Sequence, residues 1–206
     1  MIGLIKRDYT LLFSTSWNIF ILIFMIPFIL LAFGADKVGE AYPLLVFAFV
    51  YILTITPFNY DMQRKSYMII ESLPIKKKDI VMGKYLVTLI NFLLSTVWCW
   101  IYLWIISLLD FVNMDLLNIS SLENAFFTSI FSLSIILPPL FILPPKIARY
   151  FSMFVYIFIF SMMFSKVEKL FHVNLFQGAR GYIIGLVVYL ISMGISVLLY
   201  ENRDLV

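Results

Sequence analysis

Six apolar runs, at about residues 17–34, 42–59, 85–109, 124–144, 150–166 and 181–200, constrain this chain more than any other feature. Each is close to the roughly 20 residues that an α-helix needs to cross the hydrocarbon of a bilayer. Apart from Lys166 at a boundary, none contains Asp, Glu, Lys, Arg or His. A soluble domain of 206 residues has too little interior to hide them: 63% of the residues are apolar and 13% charged, where roughly 45–50% and 25% are usual. Lipid must solvate the surplus. Within lipid every backbone N–H and C=O has to be paired inside its own segment, so the runs are expected to be helices. The expected fold is all-α and integral to the membrane, a single transmembrane domain over residues 1–206.

Residues 1–16 precede the first span. Ile2, Ile5, Tyr9, Leu12 and Phe13 recur at helical spacing, with Lys6, Arg7, Asp8 and Thr10 on other faces. That pattern predicts an amphipathic helix in the membrane interface. Trp17 begins the first span, and Trp98, Trp100 and Trp104 lie in the outer part of the third, where indole rings favour the interface. With both termini in the cytoplasm, the inner segments hold eleven of the fifteen Lys and Arg residues and the outer segments four. Acidic residues divide evenly, so the bias lies in the cations, as the positive-inside rule requires. The first apolar run lacks a small-residue cleavage site and is expected to stay as an anchor.

Uncharged spans also limit function. A charge at the bilayer centre costs roughly 2.5–3.5 kcal/mol on the insertion scale and is kept where it works, as in ion-coupled carriers. The spans therefore argue against a transporter driven by an ion gradient. No phosphate loop, HExxH or GxSxG pattern occurs, so no catalytic or cofactor-binding residue is assigned. One Cys (Cys99, in an apolar run) and one His (His172) leave neither a disulfide nor a His-pair metal site. The net charge of +3 has no soluble domain on which to form a nucleic-acid surface.

Weaker features remain. Thr128 and Ser132 lie one turn apart in the fourth span, beside Ser129 and Ser134. They either line a translocation path or bond to neighbouring helices. Pro138-Pro139 and Pro144-Pro145 are expected to bend or end that span, as a hinge or as a fixed kink. Gly181 and Gly185 form a GxxxG whose face Ser192 and Ser196 continue, a pattern for close packing within or between subunits. The outer loop 167–182 has the apolar content of either a short interfacial helix that gates an exit or a plain connector.

The longest polar interval runs between spans two and three, over residues 60–84. It carries Arg64, Lys65, Lys76, Lys77, Lys78 and Lys84 together with Asp61, Glu71 and Asp79. Met62, Tyr67, Ile69, Ile70, Leu73 and Ile75 interleave with the charges, more apolar surface than a merely wet loop holds. This stretch is expected to fold and to dock. Residues 71–81, ESLPIKKKDIV, followed by Gly83-Lys84-Tyr85-Leu86, resemble the interval between spans two and three of small bacterial ABC-2 type permeases. There a charged helix is followed by SLP, basic residues and a KYL-like lead-in to the next helix. The six-span layout is similar too, and the chain resembles in particular phenol-soluble modulin and antimicrobial-peptide exporter subunits.

The resemblance implies a permease without a nucleotide site, ATP and Mg being bound by a separate cytoplasmic ATPase subunit. It implies a second permease, identical or paralogous, in a dimer within the bacterial cell membrane. The coupling helix that seats in the ATPase would span about 61–73, with Asp61, Arg64, Tyr67, Glu71, Leu73, Pro74, Lys77 and Asp79 as candidate docking residues. Leu73-Pro74 would end it, since a residue before proline avoids helical geometry, and Lys76 to Asp79 would start the next helix. Lys76, Lys77 and Lys78 are also suited to anionic lipid. The expected function is the export of amphipathic peptides or other hydrophobic or antimicrobial compounds. The alternatives are a non-transporting immunity or scaffold protein, and the substrate-binding component of an ATP-driven vitamin importer. The first span lacks the AxxxA pattern by which the latter docks.

Overall fold

The computed structural model describes residues 2–13, 16–33, 38–63, 76–108, 119–164 and 179–202. Among these there are seven helices and no strand: α1 (Ile2–Phe13), α2 (Ser16–Phe33), α3 (Val38–Gln63), α4 (Lys77–Ser107), α5 (Ile119–Ile142), α6 (Pro145–Phe164) and α7 (Ala179–Glu201). Five of them, α3 to α7, are long and apolar enough to cross a bilayer. The chain is an all-helical, multi-pass membrane protein.

The bundle is built around α3. That helix has no polar face over its first half, and residues 41–50 are all buried; a helix apolar all round must be surrounded. Helices α1, α2, α4, α5 and α6 all lie against it, and 89% of its apolar window is buried. Helix α5 is the second interior element, packed on α3, α6 and most extensively α7. Helix α6 is peripheral, with 11% of its window buried. Exposed Trp98, Trp100 and Trp104 line the outward face of α4.

Helices overrun the boundaries that hydropathy draws. Helix α3 continues to Gln63 and α4 begins at Lys77, with Lys76 in extended backbone before it. Both therefore reach into the polar interval of 60–84. Hydropathy marks where lipid ends, whereas a helix ends where its backbone pairing does. At 31 residues, α4 is about 46 Å long, well beyond the roughly 30 Å of hydrocarbon.

The two proline pairs differ in what they do to the helix. Pro138-Pro139 do not end the fourth span: α5 runs through them to Ile142. The missing N–H of Pro138 frees the Ser134 carbonyl, and that oxygen accepts a hydrogen bond from the Ser192 hydroxyl of α7 at 2.6 Å. With the freed acceptor satisfied from a neighbouring helix, the turn survives. The break comes at Leu143-Pro144, and Pro145 opens α6, at the one helical position where its lost donor is harmless.

Candidate coupling site at the charged end of the bundle

Four helices meet at one level near the ends of α3, α5 and α7 and the start of α4. Phe141 of α5 faces Phe58 of α3 edge-on at 5.5 Å and Tyr200 of α7 at 5.6 Å. Tyr85 of α4 lies 6.4 Å from Phe141 and 5.1 Å from Tyr189. At this end α3 stops at Gln63 and the described chain resumes at Lys76, on either side of residues 64–75.

Just beyond these rings, charges from three helices close on one another. Arg7 of α1 bonds Asp61 of α3 at 2.7 Å and Asp8 at 2.9 Å. Lys84 of α4 bonds Asp8 at 2.6 Å and reaches Asp61 at 3.5 Å. Its ammonium also sits 4.7 Å over the Phe58 ring, a cation–π contact. Side-chain exposure is 29% for Arg7, 11% for Lys84, 9% for Asp61 and 2% for Asp8. Two cations and two anions make the cluster neutral, the condition under which charges stay buried. Burial pulls the Arg7 pKa down, but the carboxylates of Asp61 and Asp8 outweigh it and hold the group above its ordinary value. Arg7 Nε and Asp61 Oδ1 are buried with no partner among the described residues.

Further ties fix the same end. The Tyr9 hydroxyl donates to Asn91 Oδ1 at 2.8 Å, and Asn91 Nδ2 donates to Thr54 Oγ1 at 3.3 Å, so α1 also holds α4 and, through it, α3. Burial and then the nearby Asp8 raise the Tyr9 pKa, which keeps the phenol a neutral donor. Lys77 Nζ bonds the Glu201 carbonyl at 3.3 Å, tying the start of α4 to the end of α7.

Deeper in the bundle a chain of hydroxyls joins α4, α7 and α5. Tyr85 Oη lies 2.8 Å from both Ser192 Oγ and Ser196 Oγ, and Ser192 donates its only proton to the Ser134 carbonyl. Since each hydroxyl has one hydrogen, the direction follows. Ser196 donates to Tyr85, Tyr85 to Ser192, and Ser192 to the carbonyl that Pro138 frees. Tyr189 adds a bond to the Tyr85 carbonyl at 2.7 Å.

The residues singled out in the sequence fall into three groups. Of the docking candidates, Asp61 points into the chain's own ion cluster, Lys77 is bonded to α7, and Asp79 lies half-buried in the first turn of α4. Arg64, Tyr67, Glu71, Leu73 and Pro74 lie outside the described residues. Ser192 and Ser196 pack within the chain, through the hydroxyl chain above. Gly185 faces α5, where an added Cβ would meet Phe126 at 3.7 Å and Phe127 at 3.8 Å, ordinary contact distances. The surroundings of Gly181 lie outside the described residues. Ser132 is buried and donates to the Thr128 carbonyl one turn back, while Thr128 is half-buried.

Arg7, Asp8, Lys84, Tyr85 and Asn91 organise this end, and periodicity does not single them out. Arg7 and Asp8 fall on what the α1 pattern gives as its wet faces, yet Asp8 is buried while Phe13 is exposed. The available signal was opposite charge placed to pair: Asp61 and Lys84 within a turn of span ends, and Arg7-Asp8 in the helix before the first span. Among the described residues no group of three or more His, Cys, Asp or Glu could hold a metal.

No curated protein and no solved structure matches the chain. Residues 3–201 match the family described as ABC-2 family transporter protein. That stretch takes in α1, the charged cluster, every helix that packs on it and the interval 64–75, and the chain belongs to the ABC-2 transporter family.

Proposed function

We propose that this chain is the membrane-spanning permease subunit of an ATP-driven exporter, docked by its 64–75 interval on a cytoplasmic ATPase subunit. One observation carries the reading: the interval is clamped on both sides. Asp61 on its N-terminal flank is locked to Arg7 and Lys84, and Lys77 on its C-terminal flank is bonded to α7. A displacement of the interval therefore moves α1, α3, α4 and α7 together, as a coupling element must. Arg64, Tyr67 and Glu71 make the contacts with the ATPase, leaving Asp61 as the anchor of the clamp. ATP and Mg are bound by the partner, and two permeases, identical or paralogous, form the complex in the bacterial cell membrane.

The layout supports six spans with both termini in the cytoplasm. Helix α1 is ion-paired to the C-terminal end of α3, so the chain must cross the bilayer in α2 to reach the start of α3. Family membership favours this reading over a vitamin importer component. Uncharged spans and the aromatic surface of α4 and α6 favour amphipathic peptides or hydrophobic antimicrobial compounds as cargo. The test is purification of the tagged chain from its native membrane in mild detergent, with mass spectrometry of what accompanies it. A stoichiometric ATPase is expected with the wild type, and its loss with Glu71→Ala and with Arg64→Ala/Tyr67→Ala. A preparation free of ATPase under conditions that keep other transporters whole would replace this reading with a sequestering immunity protein.

A further inference from the structure

We propose that α1 is a releasable strap, held on the bundle by a ring of charges that parts into two neutral halves. Two bonds of the ring cross from α1 to the bundle, Arg7 to Asp61 at 2.7 Å and Lys84 to Asp8 at 2.6 Å. The other two close each side on itself: Arg7 to Asp8 at 2.9 Å within α1, and Lys84 to Asp61 at 3.5 Å between α4 and α3. Each side therefore owns one cation and one anion. Had α1 carried both cations or both anions, lifting it off would strand like charges in both parts. A buried charge stripped of its partner is what makes an ion cluster costly to open. Here separation breaks the crossing bonds and leaves no charge without a counter-charge.

The remaining contacts divide along the same line. Phe58, over which the Lys84 ammonium sits at 4.7 Å, belongs to α3 and stays with the α3–α4 half. Asn91 loses the Tyr9 hydroxyl but keeps Thr54. Arg7 Nε and Asp61 Oδ1, buried without a partner in the docked ring, gain water when it opens, so docking carries a cost that release removes. Apolar burial adds little to the hold: among the described side chains of α1 only Asp8 and Leu12 are buried, and Phe13 is exposed. Once free, an amphipathic helix has the membrane interface to lie in. Docked, α1 moves with α3 and α4. Released, it leaves intact the ties of α3 to α4 and of α4 to α7.

The experiment measures the distance between spin labels on the exposed positions Thr10→Cys and Lys78→Cys, in a Cys99→Ser background. The full chain is held in liposomes and diluted with unlabelled chain; no ATPase is needed, so the outcome is separate from the docking of 64–75. Four double variants each remove one cation and one anion. Arg7→Gln/Asp8→Asn and Asp61→Asn/Lys84→Gln empty one half, and in both α1 is expected to leave, the distance growing by about 10 Å, a helix diameter, or more. Arg7→Gln/Asp61→Asn and Asp8→Asn/Lys84→Gln each leave one crossing bond, whose charges are neutralised only with α1 in place, so the docked distance should persist. The wild type should show the docked distance with a minor population at the longer one. Four variants that behave alike, or a wild type at the short distance alone, overturn the strap. A second label pair, Lys78→Cys/Asn202→Cys, spans α4 and α7 and should not change in any variant. If it lengthens together with the first, the bundle opens as a whole and the strap is refuted.

Discussion

Asp61 is the residue that ties α1 to α3 at the charged end, because, like Asp8, it answers both Arg7 and Lys84. Neutralising it leaves an excess of buried positive charge, a change that costs about 3–5 kcal/mol for fully buried pairs. Arg7 retains some solvent, so Asp61→Asn is expected to lose about 2–3 kcal/mol of unfolding stability in micelles. Asp79→Asn, half-buried in the first turn of α4, should lose under about 1 kcal/mol. Equal losses from the two in a denaturant titration would show that this tie carries no special weight. Gly185 makes the opposite case. An added methyl finds ordinary contacts on Phe126 and Phe127, and alanine is the better helix former by about 1 kcal/mol. Gly185→Ala should therefore be neutral or slightly stabilising in the same titration; a loss above about 1 kcal/mol would mean that α5 and α7 need the bare backbone.

At the scale of elements, the join between α5 and α7 turns on a proline that takes away a donor and a serine that supplies one. Ser192→Ala strips the Ser134 carbonyl of its partner, and hydrogen bonds between membrane helices are worth about 0.6 kcal/mol on average and about 1.7 at most. Pro138→Ala restores the N–H that the carbonyl would otherwise have received. A double-mutant cycle is expected to give a coupling of about 0.5–1 kcal/mol, with Ser192→Ala costing less once Pro138→Ala is in place. Independent effects would show that the serine serves packing alone. The serines at 192 and 196 were legible as a close-packed face, because small residues in helical register leave that mark. Their partner Tyr85 was not, since a tyrosine at a span boundary looks the same whether it faces headgroups or a buried hydroxyl chain. Likewise the spans were legible from the absence of charge, but the fate of Pro138-Pro139 was not, because the rescuing hydroxyl lies 58 residues away in sequence. Helix α1 was legible as amphipathic, but its pattern misplaces Asp8 and Phe13: hydropathy counts Asp8 as wet, and Arg7 together with Lys84 arriving from α4 makes its burial tolerable.

For the whole molecule, the ties at the charged end turn topology into a question of parity. Helix α1 is bonded to the C-terminal end of α3 and to α4. The rings of Phe58, Tyr85, Phe141 and Tyr200 then bring the ends of α3, α5 and α7 to the start of α4. Lys6, Lys78, Lys146 and Asn202, all exposed, must share one side of the membrane. Position 123, near the start of α5 and a helix length from Phe141, must lie on the other. In a Cys99→Ser background, whose thiol is buried in any case, Glu123→Cys is expected to react with an impermeant maleimide on intact cells. Lys6→Cys, Lys78→Cys, Lys146→Cys and Asn202→Cys should react only after permeabilisation. Labelling of Lys6→Cys together with Glu123→Cys would break the tie between α1 and α3 and with it the crossing of α2. Labelling of Lys78→Cys on intact cells would turn the clamped interval outward, beyond the reach of any cytoplasmic ATPase. The first result would leave the other spans in place; the second would end the coupling mechanism, because the two ties that flank the interval would then have nothing inside the cell to answer to.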